Sequence, residues 1–565
     1  MESKTELRPT DAPSTAAPAH TGRKIAVDTL IVMAAFGTAK AISLIQTFVI
    51  ARVFGVGSEW DAYVTANRIP ELIFTLIAGG ALAHAFIPIF GGYLARGDKP
   101  GAWRTASHVI NTIFVTTLAI SVIAFIVAPW LVGNVVASGF DDATRQQTTE
   151  LMRILLLSTL IFSVSGIVMG ILQSHNHFLL PALAPIMFDV GILFGVLVLL
   201  PLFGVHGIAL GAVIGAALHF GIQVPGLIRF RARWHAELGL RDPALWQVIR
   251  LMLPRIVGLG VFSFNFIIMN NIASRLGTGS VAALDWGWRL MQIPQTLIGT
   301  AMGTVIFPTL AALSAVGNES GKRDAMSGAV RFILIATIPS SIGLVVVGRP
   351  MISLLERGAF DASASALVFS TLQFFTLGLI THSLLEVIAR SFYADKDTVT
   401  PLYAALGGAA INLILSFALS GVAAVESSGL LRAAALQYPQ VGLDAPAGNV
   451  GGLALANSLG VTFEVLVLLV VLRRRWHGID ESAIGATLLK ALVASLVMAA
   501  AVVAVGAVWT AIAPGTGFAV TLLQLALQVA AGGLVFIIMA FLLRIDELRS
   551  IIAMVRRPQA TGAPA

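Results

Sequence analysis

Long apolar runs follow one another along this chain, each broken by a short cluster of Gly, Pro, Asn or charged residues. The apolar positions are continuous and do not alternate every second residue, so the runs read as helices and not as barrel strands. A membrane-crossing helix needs about 20 apolar residues. Fourteen runs reach that class, at 27–53, 69–95, 106–133, 151–172, 180–202, 205–226, 251–274, 289–315, 326–347, 365–389, 400–423, 450–471, 484–511 and 518–542. The expected fold is therefore an all-α polytopic membrane protein.

The polar breaks carry a second pattern. With the N-terminus placed in the cytoplasm, 23 of the 36 Lys and Arg residues fall in cytoplasmic segments and six in outer ones. That asymmetry is the positive-inside signature and predicts that both termini are cytoplasmic. Residues 1–26 are rich in Pro, Thr, Ala and Ser and read as a disordered tail, with a second tail at 543–565. They lack the apolar centre of a signal peptide.

An internal repeat divides the spans. Ala81 to Pro88 and Ala301 to Pro308 have the same spacing. Arg68 and Arg289 stand early in the two segments, and glycines stand in their middles. Gly139-Phe140-Asp141 is answered by Ala359-Phe360-Asp361, and the GVHGIALGAVIG run from Gly204 by GNVGGLALANSLG from Gly448. Two six-helix lobes, 27–226 and 251–473, are expected to be related by an axis along the membrane normal. Residues 424–449 read as an outer loop, and 484–542 as two extra helices. Residues 227–250, with Arg229, Arg231, Arg233, Trp234 and Trp246 among them, read as an amphipathic helix on the cytoplasmic surface.

Composition agrees: 57% of the 565 residues are hydrophobic and only 12% charged. A soluble chain of this size needs far more surface charge. The net charge of +7 suits loops lying against anionic lipid, and nucleic acid is not an expected partner. Cysteine is absent, which excludes disulfides and thiolate metal sites. No metal or cofactor is expected: His175 and His177 lack supporting ligands. Gly317 to Lys322 is one residue short of a phosphate loop and follows no strand. With no nucleotide-hydrolysing motif, the membrane potential or an ion gradient would have to supply energy.

Charged groups inside spans are costly and so are candidate functional residues. Lys40 lies midway along the first span, too far from either end to reach water without a cavity. Arg52 and Arg68 flank the outer end of the first hairpin with Asp61 between them; Arg275 and Arg289 occupy the matching place. Arginines facing a shared cavity suit an anionic substrate such as a diphosphate. The plainer account of each alone is snorkelling to the interface. Asp189, Glu386 and Glu464 are intramembrane acids for which a buried partner or a protonated state competes with a transport role. Gly79-Gly80 and Gly299-x-x-x-Gly303, flanked by prolines, read as bends in a gate. Gly211-x-x-x-Gly215 reads as close helix packing.

The segments ARVFGVGSEWDAYVTANRIPELIFTLIAGGALAHAFIPIF, GSVAALDWGWRLMQIPQTLIGTAMGTVIFPTL, SLLERGAFDAS and SFYADKDTVTP resemble those of the MurJ (MviN) family. These are the lipid II flippases of the multidrug/oligosaccharidyl-lipid/polysaccharide exporter superfamily. The resemblance runs over about residues 27–540. It implies two lobes in a V around a central cavity, and two last helices forming a lipid-facing groove. It implies alternating-access transfer of an undecaprenyl-diphosphate-linked peptidoglycan precursor to the outer leaflet of the bacterial cytoplasmic membrane. Membrane lipids and cell-wall synthesis proteins are the further partners it suggests. By position, Lys40, Arg68 and Arg289 keep the family's cavity charges, while Gln46 and Thr75 stand where the family carries charged pairs. Asp61 keeps an acid expected to gate the outer side by pairing with a basic residue. Rival expectations are an exporter of another lipid-linked sugar or amphipathic compound, and a non-transporting cell-wall scaffold. An enzyme is not expected.

Overall fold

The structure, a computed structural model, describes residues 38, 42–77, 80–421, 449–513, 515 and 517–545. Lys40, Gly79 and nearly all of the 424–449 loop lie outside the described residues. Every described element is helical, and twelve helical runs are long and apolar enough to cross a membrane.

The first lobe begins with α1 (Ile42–Phe54). It continues through α2 (Ser58–Ile77), α3 (Gly80–Ala95), α4 (Lys99–Trp130) and α5 (Asp142–Ser174). α6 (Leu179–Phe194) and the short α7 (Leu200–Phe203) form one run, followed by α8 (His206–Gly221) and α9 (Val224–Arg229). The second lobe comprises α10 (Pro243–Ser274), α11 (Ser280–Gln295), α12 (Ala301–Ala315), α13 (Glu319–Ser353), α14 (Ala362–Ala394), α15 (Val399–Leu419) and α16 (Val450–Arg475). α17 (Glu481–Ile512) and α18 (Phe518–Leu542) complete the chain and pack against α13. The helices overrun the expected spans because polar caps extend them past the apolar stretch. Asp98, Asp141, Asp242, Asn318 and Asp361 each accept a backbone amide at the start of a helix.

In lipid, burying apolar surface does little to hold helices together, so close backbone packing has to. Gly191 and Gly195 on α6 meet Gly211 and Gly215 on α8; a Cβ on Gly191 would sit 2.2 Å from the Gly215 Cα. The packing expected of Gly211 and Gly215 is what the structure shows.

Three large apolar cores define the architecture. One spans both lobes and contains Phe54, Trp60, Trp286 and Phe360. The second belongs to α12–α17 and contains Leu310, Phe392 and Trp476. The third joins α3, α4 and α5 to the first half of α10 through Leu245, Val248 and Met252. The lobes thus share a core at one end, here called the junction, and keep separate cores at the other. The first half of α10 packs with the first lobe, although the sequence places it in the second.

The linker departs from expectation. Beyond α9 the chain is not an amphipathic helix; residues 232–239 carry no regular structure. This strap lies along α4. Asn111 donates to the carbonyls of His235 and Glu237, both at 2.7 Å, and Thr112 to that of Leu238 at 2.9 Å. Its helix-like composition is overridden by Gly239 and by Asp242-Pro243, a start signal for α10.

Candidate functional site

At the junction each lobe clasps the other. The turn after α1 meets the loop before α14: Ala359 N–H donates to the Arg52 carbonyl at 2.9 Å. The loop before α5 meets the end of α10: Gly139 N–H donates to Ser274 Oγ at 3.1 Å, and Arg275 Nε to Ser138 Oγ at 3.0 Å. The repeated Gly139-Phe140-Asp141 and Ala359-Phe360-Asp361 motifs therefore occupy matching halves of one reciprocal contact. Asp141 and Asp361 cap α5 and α14 in the same way.

Asp61 lies beneath this clasp and is 1% exposed. Its carboxylate accepts Gly279 N–H at 2.6 Å and Ala282 N–H at 2.7 Å, at the start of α11 in the other lobe. A helix N-terminus presents free amides and partial positive charge, and a carboxylate satisfies both. Among the described residues its partners are backbone amides, where a basic side chain was expected. Trp60 and Trp286 stack across the same boundary with centroids 5.6 Å apart, and Trp286 Nε1 donates to the Gly55 carbonyl at 3.1 Å.

Below the seal is a pocket of about 270 Å³ between α2, α10 and α11. Arg68 and Arg289 both line it, one from each lobe, together with Glu71, Asp285, Phe266 and Trp288. Arg289 Nε donates to Asp285 Oδ2 at 2.6 Å; Arg68 reaches Asp285 Oδ1 at 3.8 Å and Glu71 at 3.7 Å. Arg68 Nε also donates to Asn270 Oδ1 at 3.2 Å. Asn270 in turn donates to Thr65 Oγ1 and to the Val136 carbonyl. One amide thus connects the pocket to the junction.

The sequence suggested a chamber lined by cations; the described pocket instead balances two arginines against two carboxylates. Asp285 is the residue that sequence reasoning missed. Its signal was an acid one helical turn before Arg289, on the same face. Arg68 is held with its side chain 14% exposed, whereas Arg289 remains 51% exposed and so is the freer cation.

The other candidates lie elsewhere. Arg52 is exposed at the clasp, and neither Gln46 nor Thr75 lines the pocket. Glu386 pairs with Arg390 at 3.1 Å on its own helix. Glu464 is half-buried on α16 with its Cβ against Gly408, and Asp189 is half-buried on α6. Gly80 opens α3. Gly299 lies in a π-helical turn, Thr296–Thr300, that separates α11 from α12. Such turns bend helices. Cβ atoms on Gly299 and Gly303 would sit 2.7 Å from Ser383 Cα and 2.3 Å from the Arg390 guanidinium. Gly299 thus combines a π-helical turn with a close helix contact, and Gly303 makes a close contact.

Comparison with known proteins adds the following. A family model described as "Lipid II flippase MurJ" matches residues 50–523. A relative from Rhizobium tropici, named as a probable lipid II flippase MurJ, is 29% identical over 510 residues, spanning 87% of this chain and 89% of its own. One from Burkholderia cenocepacia, named as lipid II flippase MurJ, is 29% identical over 378 residues, spanning 65% and 73%. Among solved structures, a lipid II flippase MurJ in an inward closed conformation superposes with TM-score 0.73 at 23% identity, covering 92% of this chain and 100% of that one. An inward-facing multidrug resistance transporter of the MATE family gives TM-score 0.62 at 15% identity, covering 80% and 99%.

Proposed function

The chain belongs to the lipid II flippase MurJ family, and on that premise we propose that the pocket between α2, α10 and α11 holds the charged head of its substrate during transfer. It is a multi-pass membrane transporter that flips lipid II for cell-wall synthesis, and is not an enzyme. The reading rests on one observation: Arg68 and Arg289, from different lobes, converge on Asp285 in a single pocket closed towards the junction.

A diphosphate entering this pocket meets the exposed Arg289 first. It competes with Asp285 for a guanidinium fork that suits phosphate oxygens in two-point contact. Because the pocket starts neutral, the head displaces carboxylates and does not fall into a deep anion trap. That keeps binding weak enough for release on the far side. Engagement of Arg68 loosens its tie to Asn270 and so reaches the junction through Thr65 and Val136. Outward opening then requires the Asp61 carboxylate to leave the start of α11 while the separate inner cores approach. These are the two ends of an alternating-access cycle. Lys40, early in the chain, would add a cation to the same path.

The junction end is placed at the outer face of the bacterial cytoplasmic membrane, with both termini inside, on the strength of the Lys and Arg asymmetry. Membrane potential or an ion gradient drives the cycle, and cell-wall synthesis proteins that consume the precursor outside are its partners. The test is flipping of labelled lipid II in reconstituted vesicles. Arg68→Gln and Arg289→Gln should each slow it about tenfold or more, since a hydrogen bond to a charged group contributes about 1.5–3 kcal/mol. Asp285→Asn should tighten head binding and slow release. Parental rates in both arginine variants would remove the pocket from the pathway.

A further inference from the structure

Two segments close the sixth helix of a lobe: α9 with the strap after it, and the last turn of α16 with the turn behind it, residues 473–480. Both are rich in arginine and carry tryptophan, yet the structure treats them differently. In the last turn of α16, Arg473 pairs with Glu481 at 2.8 Å and Arg475 with Asp397 at 2.5 Å. Trp476 there is 2% exposed, under the Lys322 ammonium.

Along the strap, Arg229, Arg231, Arg233 and Arg241 are all exposed, and none forms an ion pair among the described residues. Of the two acids in this stretch, Asp242 turns inward, while Glu237 stays 69% exposed at the edge of the same histidine. Asp242 Oδ2 lies 2.8 Å from His108 Nδ1, and Glu237 lies 3.5 Å from Nε2. Gly239 permits this: with φ +61, it lies so close to the His108 ring that a Cβ would sit 2.1 Å from Cγ. Trp234 and Trp246 are 66% and 53% exposed. Their indole N–H groups are already taken, by Asn111 Oδ1 at 2.8 Å and the Leu240 carbonyl at 2.7 Å. The rings are therefore held in place with apolar faces outward. The face of α10 that Trp246 begins continues through Arg250, Leu253 and Val257, all exposed.

We propose that the strap is a docking surface for anionic phospholipid headgroups of the inner leaflet, and that this contact holds the first half of α10 on the first lobe. Fixed aromatic faces beside unpaired arginines fit the boundary between acyl chains and headgroups. With Asp242 drawn onto His108, the outward face carries four arginines against one exposed acid, Glu237, and is strongly cationic. The strap is bonded to α4 and runs directly into α10, so lipid bound here bears on the helix that lines the pocket. The proposal rests on the inward placement of this end.

The full chain in nanodiscs provides the test, with phosphatidylcholine mixed with phosphatidylglycerol as probe and co-purified lipid read by native mass spectrometry. The chain should enrich phosphatidylglycerol. R229Q/R231Q/R233Q/R241Q should lose that enrichment by roughly fivefold per charge removed, while R473Q/R475Q should keep it. Brominated phosphatidylglycerol should quench the parent more than W234F. Unchanged enrichment in the strap variant, equal loss in the R473Q/R475Q variant, or equal displacement of the lipid by inorganic diphosphate would overturn the proposal. All four strap side chains are exposed, so unchanged thermal unfolding in phosphatidylcholine verifies the fold. A chain that fails to flip lipid II yet keeps the enrichment would sink the transport pathway and leave this surface standing.

Discussion

At the junction the two lobes touch through backbone groups, one buried carboxylate and a few polar and aromatic side chains, while at the opposite end ion pairs among the described residues stay within the second lobe or join the first lobe to the start of α10. The junction bonds are short, directional and shared: Asp61 on the start of α11, Ala359 on Arg52, Gly139 on Ser274. At the other end Lys322 binds Asp395 at 2.9 Å inside the second lobe, and His108 on α4 binds Asp242, the cap of α10, whose first half packs on the first lobe. A seal made of short directional contacts anchored on backbone is all-or-none, because no such contact survives a displacement of an ångström or two. Ion pairs within a lobe survive a rigid swing of that lobe. The contrast shows which end is built to come apart as a unit and which is built to travel intact.

The largest expected effect breaks the junction sterically. Gly55 has φ +56, and a Cβ there would sit 2.2 Å from the Ala359 carbonyl oxygen. Gly55→Val meets both strain and clash, a cost of about 3 kcal/mol or more. The chain has no cysteine of its own, so a single Ser280→Cys, fully buried at the start of α11, reports on the seal. Maleimide labelling of that cysteine should be slow in the otherwise parental chain and fast with Gly55→Val. Slow labelling in both would mean that the clasp is not the seal.

Next in size is Asp61→Ala. It strands two buried amides, each at about 1–3 kcal/mol. Labelling at Ser280→Cys should rise several-fold, and Asp61→Asn, which keeps one acceptor oxygen, should fall between. A smaller effect is expected at the other end. Lys322→Met leaves Asp395 with Ser314 alone, and hydrogen exchange should quicken in the turn between α14 and α15. Ser280→Cys labelling should not change; if it does, the two ends are coupled and the contrast drawn here is wrong.

The helices and the repeat were legible in the sequence because their causes are local. Apolar run length sets a span, and Asp141 and Asp361 cap the helices that immediately follow them. The site was legible only where residue type implies its own need. Arg68 and Arg289 stood out because an intramembrane cation must face something polar. Asp285 did not stand out, since its role depends on α2 arriving from the other lobe. The partners of Asp61 left no trace at all: a backbone amide looks alike under every residue type. The strap was misread because Arg and Trp spacing suggested a surface helix, whereas Asn111 and His108 on α4 supply the bonds that a helix would otherwise make.

The smallest effect sharpens the contrast by charge alone. Asp397 lies in the turn before α15, outside the spans. Burial works against its charged form. Hydrogen bonds from the Thr400 amide and hydroxyl, and the Arg475 guanidinium at 2.5 Å, outweigh that and lower its pKa from 3.8 to about 2. The folded chain therefore binds this proton more weakly than the unfolded one. The stabilisation is complete above pH about 4 and is lost as pH falls from there towards 2. Thermal unfolding of the parent and Asp397→Asn should differ by a constant amount near neutrality, and the gap should narrow through that window. A gap that persists at pH 2 would mean that Asp397 acts through neutral hydrogen bonding. The inner end would then be held by shape as the junction is, and the difference between the two ends would no longer be one of chemistry.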